Sequence, residues 1–297
     1  MQGYGAGWGS YVQPTVNLVD AYDYVDGSDG TIDWENATGS LSQVLKNKDP
    51  RLHASLYFQG MAYPGAAVTD SVKTYIVNGD PDGDGTYVLL DSNPQGYTNW
   101  GDLNGDGVDD LIQNTGKNSV PTAVDGAYTG FFIRKFIKDS EVRADAWQSS
   151  TDWYEFRLGE ILLNQAEAAI ELGNSGLALE AVNKIRKRAA VAEKTSITLD
   201  EVRAERRVEL AFEAHRIWDV RRWRIAEDVL NEVMYGIQVI WKLPDNTYSY
   251  IKYGADTRQN DGFEANTARY FPDRMYYLPY GEDRINNNPN LTENIGY

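Results

Sequence analysis

Between Glu205 and Trp223 the chain reads ERRVELAFEAHRIWDVRRW, and no other stretch restricts the fold as tightly. Apolar Val202, Val208, Ala211, Phe212, Trp218 and Val220 recur at helical steps, while Arg206, Glu209, Glu213, Arg216, Asp219 and Arg222 stand three or four apart. Residues at those spacings share one helical face, so opposite charges meet beside a buried apolar stripe. The pattern predicts two helices within Thr198–Asn231, with the break between them left open, and a capping box of Thr198 and Glu201 at the start. Arg/Glu pairs of this kind brace helices, so no catalytic role is assigned to them.

Two further helices precede this region. From Asp152 to Leu172 the residues Phe156, Leu158, Leu162, Ala166, Ala169 and Ile170 form an apolar face, with Glu160, Asn164, Glu167 and Glu171 turned away. Thr151 or Asp152 caps the start, and Gly173 with Asn174 ends it. The next helix, over Leu177–Val191, buries Val182, Ile185 and Ala189 and exposes Lys184, Lys187 and Arg188. The turn between them is short, which predicts an antiparallel helical hairpin.

Strand character is confined to shorter pieces. LHASLYFQG and VKTYIVNG, bracketing Pro64 and Gly65 within Asp49–Val77, read as a small sheet or hairpin. Gly130–Ile137 reads as a short apolar strand, and Val239–Leu243 pairs with Tyr248–Tyr253 around Pro244, Asp245 and Asn246. The tail from Arg284 is rich in Asn and Pro, which predicts a loop held by Leu278, Ile285 and Leu291. The fold class is therefore mostly α with minor β, built of helical hairpins packed with long loops and small β-hairpins.

A different chemistry occupies the segment after Asn78. Asp80, Asp82, Asp84 and Gly85 form D-x-D-x-D-G; Asp102, Asn104, Asp106 and Gly107 form D-x-N-x-D-G 22 residues later. Ca²⁺ requires several oxygen ligands, alternating acidic side chains in a tight turn converge, and glycine at the sixth position allows the bend. In the first loop Thr86 supplies the backbone oxygen and Asp91 the twelfth position. In the second, Val108 takes the backbone role and Asp110 the ninth position, whereas Gln113 replaces the final carboxylate and weakens that loop. Residues 78–114 are expected to be a calcium-binding insertion resembling the calcium loops of extracellular bacterial modules.

Between the two loops lies QGYTNWGD. Trp100 and Tyr97 are candidates for a sugar-stacking platform with Asn99 as hydroxyl partner, because aromatic faces pair with the apolar faces of pyranose rings. Trp8, in the glycine-rich opening QGYGAGWGSYVQP, is a further candidate stacking face. That opening fails the phosphate-loop spacing, since Trp8 and Ser10 stand where a third glycine is needed.

Composition excludes several classes. With 28 basic against 44 acidic residues and a net charge of −16, the chain lacks the basic surface that nucleic acid requires. It has no cysteine, hence no thiolate metal site or cysteine nucleophile, and its two histidines, His53 and His215, are read as structural. No apolar run reaches the roughly 18 residues of a membrane span. A serine-nucleophile elbow, a Walker loop and a zinc signature are all missing, so the chain is not expected to be an enzyme.

In chain order, NLVDAYDYVDG (Asn17–Gly27), KDPRL (Lys48–Leu52), FRLGEILLNQAEAAIELG (Phe156–Gly173), AVNKIRKRAA (Ala181–Ala190), the Glu205–Trp223 signature and MYYLPYGEDRINNNPNLTENIGY (Met275–Tyr297) together resemble the SusD/RagB family. These are the glycan-binding lipoproteins of Bacteroidota outer membranes, active in polysaccharide utilisation. The resemblance implies residues 1–297 as the C-terminal region of a longer protein, whose signal, acylated cysteine and N-terminal helical repeats are absent here. It further implies a non-catalytic protein on the extracellular face of the outer membrane, attached only through that lipid anchor. Such a protein captures oligosaccharides for a SusC-like TonB-dependent transporter. The alternative is a calcium-stabilised structural or adhesion module without a sugar site, and a glycoside hydrolase ranks behind both.

Overall fold

The computed structural model describes residues 12–61, 75–79, 88–90, 97–99, 111–113, 129–137, 150–242, 247–254 and 269–297. Two short helices, α1 (Val16–Val19) and α2 (Leu41–Val44), lead to α3 (Pro50–Ser55), which runs directly into β1 (Leu56–Tyr57). The expected strand over LHASLYFQG is thus strand only at Leu56–Tyr57, and its first four residues are helix. Asp49 caps it by accepting from the Arg51 amide at 2.8 Å, and Pro50 fills the first helical position, where a missing N–H costs nothing. The expected pairing of LHASLYFQG with VKTYIVNG does not form either. β1 pairs with β6 (Phe132–Ile133), while β2 (Tyr75–Gly79) joins a separate sheet.

That sheet has four strands in the order β3 (Val88–Leu90), β2, β7 (Tyr235–Lys242), β8 (Thr247–Gly254). β2 is antiparallel to β3 and parallel to β7, with Tyr75 opposite Val239. β7 and β8 form the expected hairpin, in register from Tyr235↔Gly254 to Lys242↔Thr247. A two-stranded piece pairs β4 (Tyr97–Asn99) with β5 (Leu111–Gln113).

The helical half begins with α4 (Leu158–Glu171) and α5 (Ser175–Arg188), joined by Leu172, Gly173 and Asn174. Gly173 takes φ 77°, the left-handed value that ends a helix without a Cβ penalty, and Asn174 caps α5 by accepting from the Leu177 amide at 3.1 Å. α4 starts six residues later than its apolar pattern predicts. Residues 152–157 are not helical, and Phe156 and Leu158 are exposed, while Leu163, Ala166 and Ala169 face inward.

The signature region contains three helices rather than two: α6 (Leu199–Glu209), α7 (Arg216–Arg222) and α8 (Ala226–Leu230). The Thr198/Glu201 capping box opens α6. The break follows at Leu210–His215, where Phe212 (φ 66°) and Ala214 (φ 62°) take left-handed conformations that cost non-glycine residues about 1 kcal/mol or more each. Glu213, between them, is ion-paired inward, and this holds the turn. Trp218, expected to be buried, is 60% exposed. In the tail the expected loop includes α9 (Glu282–Asn287), and Leu278 lies exposed rather than packed.

Among the described residues, two of the apolar cores meet at α6. One gathers Val16, Val19, Tyr22, Leu41, Leu45, Leu52, Leu56, Phe58 and Phe131 against Ile237, Val239 and Tyr250 of the β7–β8 hairpin. The other packs Ala166 and Ala169 of α4 on Ala178, Ala181 and Val182 of α5 and Val202 of α6. α6 spans both, since Val208 belongs to the first core. A buried lysine closes the first: the Lys48 ammonium donates to the carbonyls of Val19 (3.2 Å), Tyr22 (2.8 Å) and Gly30, and burial pushes its pKa down to about 8.

Candidate functional site

Along α6 and its following turn, Glu205, Glu209 and Glu213 recur every fourth residue and point to one side, where cations from four other segments meet them. Glu205 accepts from Arg51 (2.5 Å) and Arg186 (2.9 Å), and Arg186 also holds Asp23 at 3.0 Å. Glu209 accepts from Arg51 (3.0 Å), Arg157 (2.5 Å) and Arg188 (2.6 Å). Glu213 accepts from Arg157 at 2.7 Å and from Lys135. Asp49, the cap of α3, pairs with Arg51 at 2.6 Å. All three glutamates are 7% exposed or less, so these charges lie inside the protein.

Burial alone would push the Glu209 carboxyl up, but Arg157, Arg51 and Arg188 outweigh it and hold it below the ordinary range. Glu213 follows the same balance, with Arg157 and Lys135 prevailing over burial. For Lys135 burial wins, and its ammonium is held below the usual lysine value despite Glu213. Gly159 fits this arrangement: a Cβ there would meet the Arg157 guanidinium and lie 2.7 Å from Glu209 Oε1.

A second layer lies between α4 and α7. Arg206 Nε donates to Asp219 Oδ2 at 2.7 Å, and Arg222 bridges Asp219 (3.0 Å) to Glu167, which also accepts from the Trp223 indole at 2.7 Å. A hollow of about 350 Å³ opens here, lined by Asn164, Glu167, Ala168, Glu171, Arg206 and Arg222. Glu167 was expected to face away from the fold. Instead, against the upward push of burial, Arg222 and Trp223 hold its carboxyl low.

A smaller hollow of about 220 Å³ opens over the first layer, lined by Arg51, Lys135, Tyr154, Arg157, Arg188 and Glu209 among others. Tyr154, in that lining, belongs to a group of three aromatic rings. Phe136 and Trp153 stack with centroids 4.8 Å apart and planes 25° apart, and Tyr154 sits 5.6 Å from Phe136. Trp153 is 58% and Tyr154 48% exposed. Both sides of this wall are tied to Glu213: Lys135 precedes Phe136, and Arg157 follows Tyr154 by three residues. The turn at Phe136, in a left-handed conformation (φ 70°), is further held by the Arg134 and Lys135 amides donating to the Ser55 carbonyl at 2.8 and 3.2 Å.

Trp8 and Trp100 lie outside the described residues, as do Asp80, Asp82, Asp84, Thr86, Asp91, Asp102, Asn104, Asp106, Val108 and Asp110. Tyr97 and Asn99 are in β4, opposite Gln113 and Leu111 of β5. The chain on either side of each acidic run is paired: Gly79 stands opposite Val88, and Asn99 opposite Leu111. Among the described residues, no three His, Cys, Asp or Glu side chains are grouped so as to hold a metal ion. His53 contacts the Leu45 carbonyl at 3.0 Å, and His215 stands 3.7 Å from Glu160. The aromatic wall was not anticipated; its residues are split between two distant segments, and only the fold joins them.

A family model described as the SusD family matches residues 1–297. A SusD-like protein of Bacteroides ovatus is 32% identical over 172 residues, which make up 52% of this chain and 31% of that protein. Among solved structures, a SusD-like protein from Bacteroides fragilis is 24% identical with a TM-score of 0.63, the match covering 96% of this chain and 47% of the other. A SusD-like carbohydrate-binding protein from the same species is 23% identical with a TM-score of 0.59, covering 94% and 48%. The chain spans less than half the length of each of these relatives. Among the described residues no helix is long and apolar enough to cross a membrane.

Proposed function

Because the chain belongs to the SusD family, whose model spans residues 1–297, we propose that it binds oligosaccharides at the outer surface of the outer membrane and passes them to a SusC-like TonB-dependent transporter. The whole-chain family match carries this reading. In it the protein binds glycan without transforming it. A binder needs complementarity to the ligand's ground state, so ring faces and hydrogen-bonding groups suffice without an acid/base pair. The paired state of Glu209, Glu213 and Glu167 supports this, because a glycosidase needs one carboxyl kept protonated by a raised pKa, and these three are held low.

Within this reading residues 78–114 form an insertion of one 1–297 unit, and its two acidic loops bind Ca²⁺. Asp80, Asp82, Asp84, Thr86 and Asp91 serve the first ion, and Asp102, Asn104, Asp106, Val108 and Asp110 the second. The pairs Gly79↔Val88 and Asn99↔Leu111 support the proposal, since they fold the chain back on itself around each acidic run, as a chelating turn requires. Tyr97 and Asn99 of β4, together with Trp100 and Trp8, are offered to sugar, and the ions stiffen the chain on either side of β4.

The test is a glycan array probed with the full chain, with and without a chelator, followed by calorimetry on the best ligand. Binding without release of reducing sugar is expected, with a loss of affinity on chelation. Failure to bind any glycan overturns the reading, and release of reducing sugar from a bound polysaccharide converts it to an enzyme.

A further inference from the structure

The rings at Phe136, Trp153 and Tyr154 are unusual in how they are held. An aromatic side chain hides most of its surface when it serves a core. Here both other rings contact Phe136, and yet Trp153 keeps 58% and Tyr154 48% of their surface open. Their positions are nevertheless fixed from behind. Lys135 donates to the carbonyls of Glu209 (3.4 Å) and Ala211 (3.0 Å) and to the Glu213 carboxylate, so the turn that presents Phe136 is anchored in the interior. Arg157 donates to both Glu209 and Glu213, anchoring the other segment. A preorganised, open ring face beside a hollow is a binding surface whose ordering cost has been met before the ligand arrives.

The adjoining hollow limits what can bind. Its four cations, with Arg186 behind them, are paired with the five carboxylates Asp23, Asp49, Glu205, Glu209 and Glu213, so the ion-pair network as a whole is charge-balanced and offers no uncompensated positive charge to an acidic sugar. Arg188, 59% exposed at the rim, and the Tyr154 hydroxyl remain accessible for hydrogen bonding. We propose that Trp153, backed by Phe136 and flanked by Tyr154, is a stacking subsite for one pyranose ring of a neutral oligosaccharide, whose hydroxyls reach Arg188 and Tyr154 at the mouth of the 220 Å³ hollow. The subsite rests on the reading of the chain as a glycan binder and uses none of Tyr97, Asn99, Trp100 and Trp8.

The experiment uses the full chain and an array holding neutral gluco-, xylo- and manno-oligosaccharides beside uronate-containing ones. The strongest binder is then titrated calorimetrically against wild type, Trp153→Ala, Trp153→Phe and Trp218→Ala. Trp218 is as exposed as Trp153 but stands on α7 and is not part of the ring group around Phe136. The subsite predicts a neutral ligand, an affinity about tenfold weaker in Trp153→Ala, an intermediate loss in Trp153→Phe, and less than about a twofold change in Trp218→Ala. On unmodified protein, saturating glycan should shield Trp153 from N-bromosuccinimide oxidation, read by peptide mass spectrometry, while Trp218 still oxidises. Wild-type binding with Trp153→Ala unchanged, or Trp153 oxidised equally with and without glycan, overturns the subsite and leaves glycan binding intact. Preference for uronates overturns the neutral assignment. No binding of wild type to any glycan removes the underlying reading as well.

Discussion

The glutamates of α6 and the rings at its edge are neighbours that obey opposite rules of burial. Glu205, Glu209 and Glu213, which water would welcome, are 7% exposed or less, whereas Trp153, which water would expel, is 58% exposed. The two facts are connected. Buried charges are tolerable only when every one is met by a partner in fixed geometry, and that requirement locks α3, α5, α6 and the segments at Lys135 and Arg157 to one another. The rigidity so obtained is what lets aromatic side chains stand open without collapsing onto the core. The lattice holds, and the wall is held.

The largest way to break that contrast is Glu209→Ala, which takes one carboxylate from Arg51 and Arg157 and removes the one that Arg188 holds. A loss of about 3–5 kcal/mol in urea-denaturation stability is expected, the range for removing one member of a buried ion pair. Next comes Gly159→Ala. Its new methyl group must displace Arg157 or Glu209, so destabilisation of about 1–3 kcal/mol is expected from overpacking, instead of the gain a helical Gly→Ala change usually brings.

Acid sharpens the comparison further. Glu213 has a folded pKa below its unfolded value, so its contribution is fully present above about pH 4.5 and is lost as the pH falls through the depressed folded value. The stability gap between wild type and Glu213→Gln should therefore be constant near neutrality and shrink in acid, as measured by denaturant titrations at successive pH values. Smallest of all is the effect of Trp153→Ala on stability. An exposed ring outside the apolar cores should cost less than about 1 kcal/mol, and a larger loss in thermal melts would mean that the wall is core after all.

Much of the scaffold was legible in the residues because its signals are local. The Thr198/Glu201 box, the Gly173–Asn174 stop, the helical spacing of Ala166 with Ala169 and of Val182 with Ile185, and the alternation in Tyr248–Tyr253 all act over a few residues. Misreadings arose where distant partners decide. Arg157 ends the extended run before α4 because its guanidinium is committed to Glu209 and Glu213, which no local pattern announces. His53 and Ala54 sit in a run that alternates like a strand, but the Asp49 cap and Pro50 favour helix. Arg186, 2% exposed, looks like any solvent-facing arginine among Lys184, Lys187 and Arg188, because its partners Asp23 and Glu205 come from elsewhere in the chain. The site was less legible than the scaffold for the same reason: Phe136 and Trp153 meet only through the Lys135 and Arg157 anchors on Glu213.

A double-mutant cycle on Arg186 and Glu205, each 2% exposed at the side chain and 2.9 Å apart across α5 and α6, tests the bracing role of the buried charges most directly. Urea denaturation of wild type, Arg186→Met, Glu205→Gln and the double variant should give a coupling energy of about 1.5–3 kcal/mol, with the double variant losing less than the two single losses together. A coupling below about 0.5 kcal/mol, with Glu205→Gln as stable as wild type, would contradict the account, because charges that brace nothing would then need another reason to be buried.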